Sequence, residues 1–81
     1  MYFVYILQSY GDKFIYKGIT NNLQRRLYQH ESGKSPSTRG HLPLRLIHVE
    51  ECDTRIQARN LEKFFKSGFG REIIAELMNQ F

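Results

Sequence analysis

Two short apolar stretches open the chain. Tyr2-Phe3-Val4-Tyr5-Ile6-Leu7 and Phe14-Ile15-Tyr16-Lys17-Gly18-Ile19 are rich in aromatic and β-branched residues, and Ser9-Tyr10-Gly11-Asp12 separates them. Such residues fit a pleated, half-buried surface. With the turn residues between them they predict a β-hairpin over 2–8 and 14–19, closed by Gly11-Asp12 as a two-residue loop. That loop sets a register in which Tyr10 faces Lys13, Leu7 faces Tyr16 and Tyr5 faces Gly18. Side chains alternate along a strand, so Tyr5, Leu7, Tyr16 and Gly18 share one face, and Gly18 leaves open space opposite Tyr5.

The apolar period then lengthens to that of a helix. Asn21, with Gln24 three residues on, reads as a capping box, and Ser32-Gly33 as the stop. Taking Leu23 and Leu27 as the apolar face, His30 and Arg26 lie at about −20° and −60° and border it. Arg25 falls on the far side, toward water. A loop rich in Gly, Ser and Pro follows over 34–43, then a third strand over Leu44–Val49, ending at Glu50-Glu51. Thr54 and Gln57 form another capping box, opening a helix that runs to about Lys66. Its apolar face holds Ala58, Leu61, Phe64 and Phe65, with Glu62 at the margin about 100° round. Beyond Gly68 and Gly70, Arg71–Asn79 reads as a last amphipathic helix carrying Ile73, Ile74, Leu77 and Met78; continued to Phe81, it could offer a dimer or partner surface. The order is ββαβαα, an α+β arrangement, and 81 residues are enough for one domain with a modest core.

Composition narrows the function. No run approaches the ~18 apolar residues of a membrane span, so no membrane partner is expected. The opening apolar run is too short for a signal peptide and has no basic stretch before it. A single cysteine, Cys52, leaves no disulfide framework and fits a reducing cytoplasm. Three histidines and one cysteine show no zinc-ligand spacing. The net charge of +4 is uneven, because residues 13–45 hold seven basic side chains against Glu31 alone. A basic half with a Gly/Ser loop is the footprint of phosphate-backbone binding. Lys17, Lys34, Arg39, His41 and Arg45 are the expected phosphate contacts.

Four polar residues border the buried faces: Tyr5, Tyr16, Arg26 and Glu62. In this set the sequence resembles the GIY-YIG endonuclease superfamily, especially its small stand-alone bacterial members, and is similar to the nuclease domains of the bacterial excinuclease and of homing endonucleases. Phe3-Val4-Tyr5 aligns with the first signature, keeping its tyrosine but not its glycine. Tyr16-Lys17-Gly18 aligns with the second. Asn22 to His30 matches the arginine helix, with Arg26 in the functional place and His30 one turn on. Glu62, within Ala58-Arg59-Asn60-Leu61-Glu62-Lys63, matches the metal-binding glutamate, and Thr38-Arg39-Gly40 is typical of the stand-alone members. Many relatives carry a late asparagine near the metal; Asn79 is the one candidate and is poorly placed.

The resemblance implies a small three-stranded mixed sheet flanked by helices, and metal-dependent hydrolysis of DNA. It implies Mg²⁺ or Mn²⁺ on Glu62, Arg26 as a planar cationic fork for the scissile phosphate, and Tyr5 as acceptor or relay for the proton of the attacking water. Tyr16 would orient that tyrosine or the water, and His30 would aid proton transfer or touch phosphate. A free tyrosine has a pKa of about 10, so cationic charge would have to lower that of Tyr5. Each residue alone has a plainer reading: sheet tyrosines, a surface arginine, and a glutamate flanked by Arg59 and Lys66 on a solvated helix face. The joint match reverses these four, while His30 reads equally as a packed residue. With only the nuclease core, little intrinsic sequence specificity is expected, with single-stranded or structured DNA favoured and a protein partner supplying targeting. The alternatives are a nucleic-acid-binding module that does not cut and a protein-interaction domain.

Overall fold

The computed structural model describes residues 1–79. Strand β1 (Tyr2–Ser9) pairs antiparallel with β2 (Ile15–Thr20), and Tyr5 faces Gly18 and Leu7 faces Tyr16, the register read from the turn. The turn itself is longer than two residues. The Ser9 amide donates to the Phe14 carbonyl, and Asp12 Oδ1 accepts from the Phe14 amide within the loop.

Helix α1 (Leu23–Glu31) is capped by Asn22, one residue later than expected, whose side chain accepts from the Arg25 amide. It ends at Ser32 with Gly33 at φ 77°, the left-handed conformation that glycine adopts without penalty. Strand β3 (Leu44–Cys52) runs three residues further than the apolar pattern predicted. It joins the sheet beside β1, giving the order β2-β1-β3. Both pairings are antiparallel, so the sheet is not the mixed one the resemblance implied. The reason is the path of the chain. At about 1.5 Å per residue α1 carries it back toward the hairpin tip, where the Tyr10 amide donates to the Pro43 carbonyl and Leu44 pairs with Ser9. From there β3 can only run back along β1. It is parallel to β2, but β1 lies between them.

Helix α2 (Arg55–Lys66) starts at the predicted cap, Thr54, whose hydroxyl accepts from the Gln57 amide. Helix α3 (Gly68–Met78) starts three residues earlier than predicted, because Ser67 caps it and Gly70 fits the tight corner. A Cβ on Gly70 would strike the Phe64 carbonyl and lie 2.5 Å from Phe65 Cα. Residue 81, where the partner surface was expected to end, lies outside the described residues.

The sheet has two differently used faces. Val4 and Ile6 point to one and pack with Ile47, Ala58, Phe65 and Ile74 under α2 and α3. Fully burying side chains of this size contributes roughly 1.5–3 kcal/mol each. Phe64, expected in this core, is 39% exposed and touches it through an edge contact with Phe65. The other face carries Tyr5, Leu7, Tyr16 and Gly18 and is covered by α1 through His30. No helix among the described residues is long and apolar enough to cross a membrane.

Candidate active site

Strand alternation puts the Tyr5 and Tyr16 rings side by side, with centroids 6.1 Å apart. Gly18 makes this arrangement possible. The space its missing side chain leaves is filled by the Tyr5 phenol, and a Cβ there would stand 2.5 Å from both Tyr5 Cζ and its hydroxyl oxygen. His30 comes down from α1 onto the same spot, with its ring 5.1 Å from that of Tyr16. Its Nε2 is 2.9 Å from the Tyr5 hydroxyl, and its Nδ1 is 2.7 Å from Thr38 Oγ1. The three side chains form a buried chain of hydrogen bonds, Tyr5–His30–Thr38, with Tyr5 and Thr38 wholly inaccessible. The packed and functional readings of His30 are therefore not rivals.

Arg26, one turn before His30, completes the cluster. Its Nη1 donates to Gln29 Oε1 at 3.1 Å and its Nη2 to Ser35 Oγ at 3.4 Å. Burial acts to weaken its hold on its proton, but the Tyr16 and Tyr5 hydroxyls beside it outweigh that and push its pKa up. Burial pushes Tyr5 up to about 12; Tyr16 adds to the rise and Arg26 opposes it. Arg26 alone thus does not supply the lowering that a tyrosinate at Tyr5 would require. Burial first, and then Arg26, lower His30 to about 4, so at neutral pH its imidazole is uncharged. A neutral ring has one donor and one acceptor nitrogen. With the proton on Nδ1, donated to Thr38, Nε2 is free to accept from Tyr5.

Glu62 is not part of this hydrogen-bonded set. It lies on α2, half-buried, in an open groove of about 610 Å³ at the end of β2, lined also by Tyr2, Ile19, Thr20, Asn21, Arg55 and Arg59. Its ion-pair partner is Lys66 at 3.7 Å. Among the described residues no three His, Cys, Asp or Glu side chains converge. That donor set does not fit zinc, which needs three or four protein ligands. It fits a hard cation such as Mg²⁺, which keeps most of its waters and needs one carboxylate plus substrate phosphate oxygens.

The expected phosphate contacts are dispersed. Lys17 projects from β2 to the opposite face, where burial, then Arg71 and Lys66, lower its pKa. Lys34 lies over the Tyr28 ring at 5.6 Å, and Arg39 is exposed in the 3₁₀ turn Arg39–His41. His41 stacks on Phe14 at 3.8 Å and its Nδ1 is 2.8 Å from Asp12, while Arg45 donates twice to Gln8 Oε1. Asn79 forms the exposed C-cap of α3. Thr38 is the residue that sequence reasoning misses: the Thr38-Arg39-Gly40 segment stands out, but nothing in it says that the hydroxyl turns inward to a histidine eight residues back.

The sequence matches the family model described as the GIY-YIG catalytic domain over residues 1–74. The chain belongs to the GIY-YIG family. It is similar to a UPF0213 protein of Natronomonas pharaonis, 37% identical over 67 residues, which are 82% of this chain and 78% of that protein. A UPF0213 protein of Streptococcus sanguinis is 37% identical over 65 residues, 79% of this chain and 74% of its own. The solution NMR structure of a UPF0213 protein from Bacillus halodurans superposes with a TM-score of 0.56 at 32% identity, covering 95% of this chain and 85% of that one. Membership places this GIY-YIG domain in a nuclease family.

Proposed function

We propose that residues 1–81 form one GIY-YIG nuclease domain, a divalent-metal-dependent endonuclease that hydrolyses DNA phosphodiester bonds, with single-stranded or structured DNA as substrate and little sequence preference of its own. The observation that carries this reading is the buried Tyr5–His30–Thr38 chain ending beside Arg26 and Tyr16. A hydrolase needs a route for the proton of water, a cation for the charge that builds on the phosphate, and a means of activating the nucleophile.

Tyr5 serves as a relay. Because its oxygen is wholly buried, the proton of the attacking water reaches it through the half-buried Tyr16 hydroxyl. Tyr16 takes that proton as its own passes to Tyr5 and the Tyr5 proton passes to His30 Nε2, so no free tyrosinate forms. Arg26 supplies the planar fork for the phosphate oxygens. Its charge disfavours imidazolium in the free protein, and a bound phosphate offsets that charge when the proton arrives. Tyr16 aligns Tyr5 and the water. Glu62 would hold Mg²⁺ or Mn²⁺, which when bound lowers the pKa of water and neutralises phosphate charge. The test is incubation of labelled single-stranded, hairpin and duplex DNA with Mg²⁺ or Mn²⁺. Cleavage by the wild type and none by Tyr5→Phe or Glu62→Ala is expected. Equal cleavage by these variants sinks the assignment.

A further inference from the structure

We infer that the groove between the end of β2 and α2 is a second phosphate-backbone site, in which Arg55 and Arg59 hold the single strand next to the scissile phosphate. This rests on the nuclease reading for the word scissile, but not for the binding.

Continuity is the first argument. Thr20 shares the sheet face of Tyr16 and Gly18 and lies two residues beyond Gly18, about 7 Å along the strand. Asn21 next to it leads into the cap of α1, which carries Arg26. A strand leaving the tyrosine cluster along β2 passes Thr20 and Asn21 and rounds the end of the sheet into this groove, whose far wall is α2 on the other face.

Charge is the second argument. Two guanidinium groups outnumber one carboxylate in the lining, and Glu62 pairs with Lys66 rather than with Arg59. Both arginines belong to the nearly neutral second half of the chain, so they do not follow from the overall charge trend. Arg55 also occupies the first turn of α2, which holds no acidic residue. The helix dipole disfavours a cation there, and nothing in the core requires one, since both arginines are exposed. An anion lying along that turn would turn the local conflict into an attraction. Tyr2, packed on one side against the core, is half-buried in the lining and adds an aromatic surface of the kind on which bases stack.

The experiment is fluorescence anisotropy with a short fluorescein-labelled oligothymidine in EDTA, so that binding is read without cleavage, repeated over a range of NaCl concentrations. Each phosphate contact on a single strand contributes about 0.7 to the slope of log Kobs against log salt. Arg55→Gln/Arg59→Gln should flatten the slope by about 1.4 and weaken low-salt binding at least tenfold, while Arg55→Lys/Arg59→Lys keeps the slope. An unchanged slope in the glutamine pair overturns the inference even if the wild type cleaves DNA. A flattened slope supports it even if no metal ever elicits cleavage, in which case only the nuclease reading falls. Absence of wild-type binding at low salt overturns the inference and leaves the nuclease reading to the cleavage assay.

Discussion

Replacing Gly18 with alanine adds one methyl group at the tightest point of the molecule. The new Cβ would stand 2.5 Å from Tyr5 Cζ and Oη and 2.8 Å from Tyr16 Cε2. Carbon contacts settle at about 3.5–4.0 Å, so the phenol must retreat by roughly 1 Å. Tyr5 is wholly buried and has nowhere to go without disturbing its neighbours. A displacement of that size also spoils the geometry of its 2.9 Å hydrogen bond with His30. Overpacking costs about 1–3 kcal/mol, and stranding a buried hydroxyl or ring nitrogen adds about 1–3 kcal/mol. The expected loss is therefore roughly 2–6 kcal/mol, a fall in Tm of at least about 10 °C for a domain of this size. Thermal and urea unfolding followed by circular dichroism measures it, on Gly18→Ala, Tyr5→Phe and the double variant. Tyr5→Phe removes one of the two closest atoms, so the double variant should fall short of additivity by about 1 kcal/mol or more. A Tm for Gly18→Ala within about 2 °C of wild type refutes the reasoning, since a 1 kcal/mol effect alone moves Tm by more than that.

Acid stability should report on His30. Its pKa is about 4 in the folded protein against 6.5 for the free side chain, so the unfolded state binds more protons in that interval. Stability is full above pH 6.5 and falls by about 3 kcal/mol as pH drops through 4; urea titrations of wild type and His30→Gln should diverge there, and parallel curves contradict the buried neutral ring. Thr38→Val should lower single-turnover cleavage by about tenfold or more and shift its pH profile, through a stranded Nδ1 worth about 1–3 kcal/mol. Thr38→Ser restores the hydroxyl and should stay within a few-fold of wild type; a Val variant with an unchanged pH profile reduces Thr38 to packing. Arg26→Lys keeps the charge but loses the fork, and should cut the cleavage rate by an order of magnitude or more, whereas equal rates would mean that only charge matters.

Local chemistry carried the hairpin a long way. The pairing of Tyr5 with Gly18 followed from turn residues and strand alternation, because both are nearest-neighbour properties. It survived even though the turn has four residues, since the longer loop preserves the register. Caps were legible to within a residue where a side chain competes for a backbone amide, as at Thr54, and ambiguous where two asparagines adjoin, as at Asn21-Asn22. Strand neighbours were not legible. Whether β3 pairs with β1 or β2 depends on where α1 returns the chain, a length and direction that periodicity does not encode. The same limit explains Thr38, which meets His30 only because residues 34–43 fold back on α1. It also explains the groove. Arg59 beside Glu62 looks like an ordinary solvated helix face until the end of β2 is placed against it.

The central claim is that Tyr5 and Glu62 do separate work in one hydrolysis, Tyr5 relaying a proton and Glu62 holding the cation. Single-turnover cleavage of an end-labelled oligonucleotide, as a function of Mn²⁺ concentration, tests it in one experiment on wild type, Tyr5→Phe and Glu62→Gln. Wild type should cut in a saturable, EDTA-sensitive way. Tyr5→Phe should lose rate at every Mn²⁺ concentration without a shift in the midpoint. Glu62→Gln should move the midpoint upward by at least an order of magnitude. Cleavage that is indifferent to EDTA, or curves for the two variants that overlay that of wild type, would contradict the account.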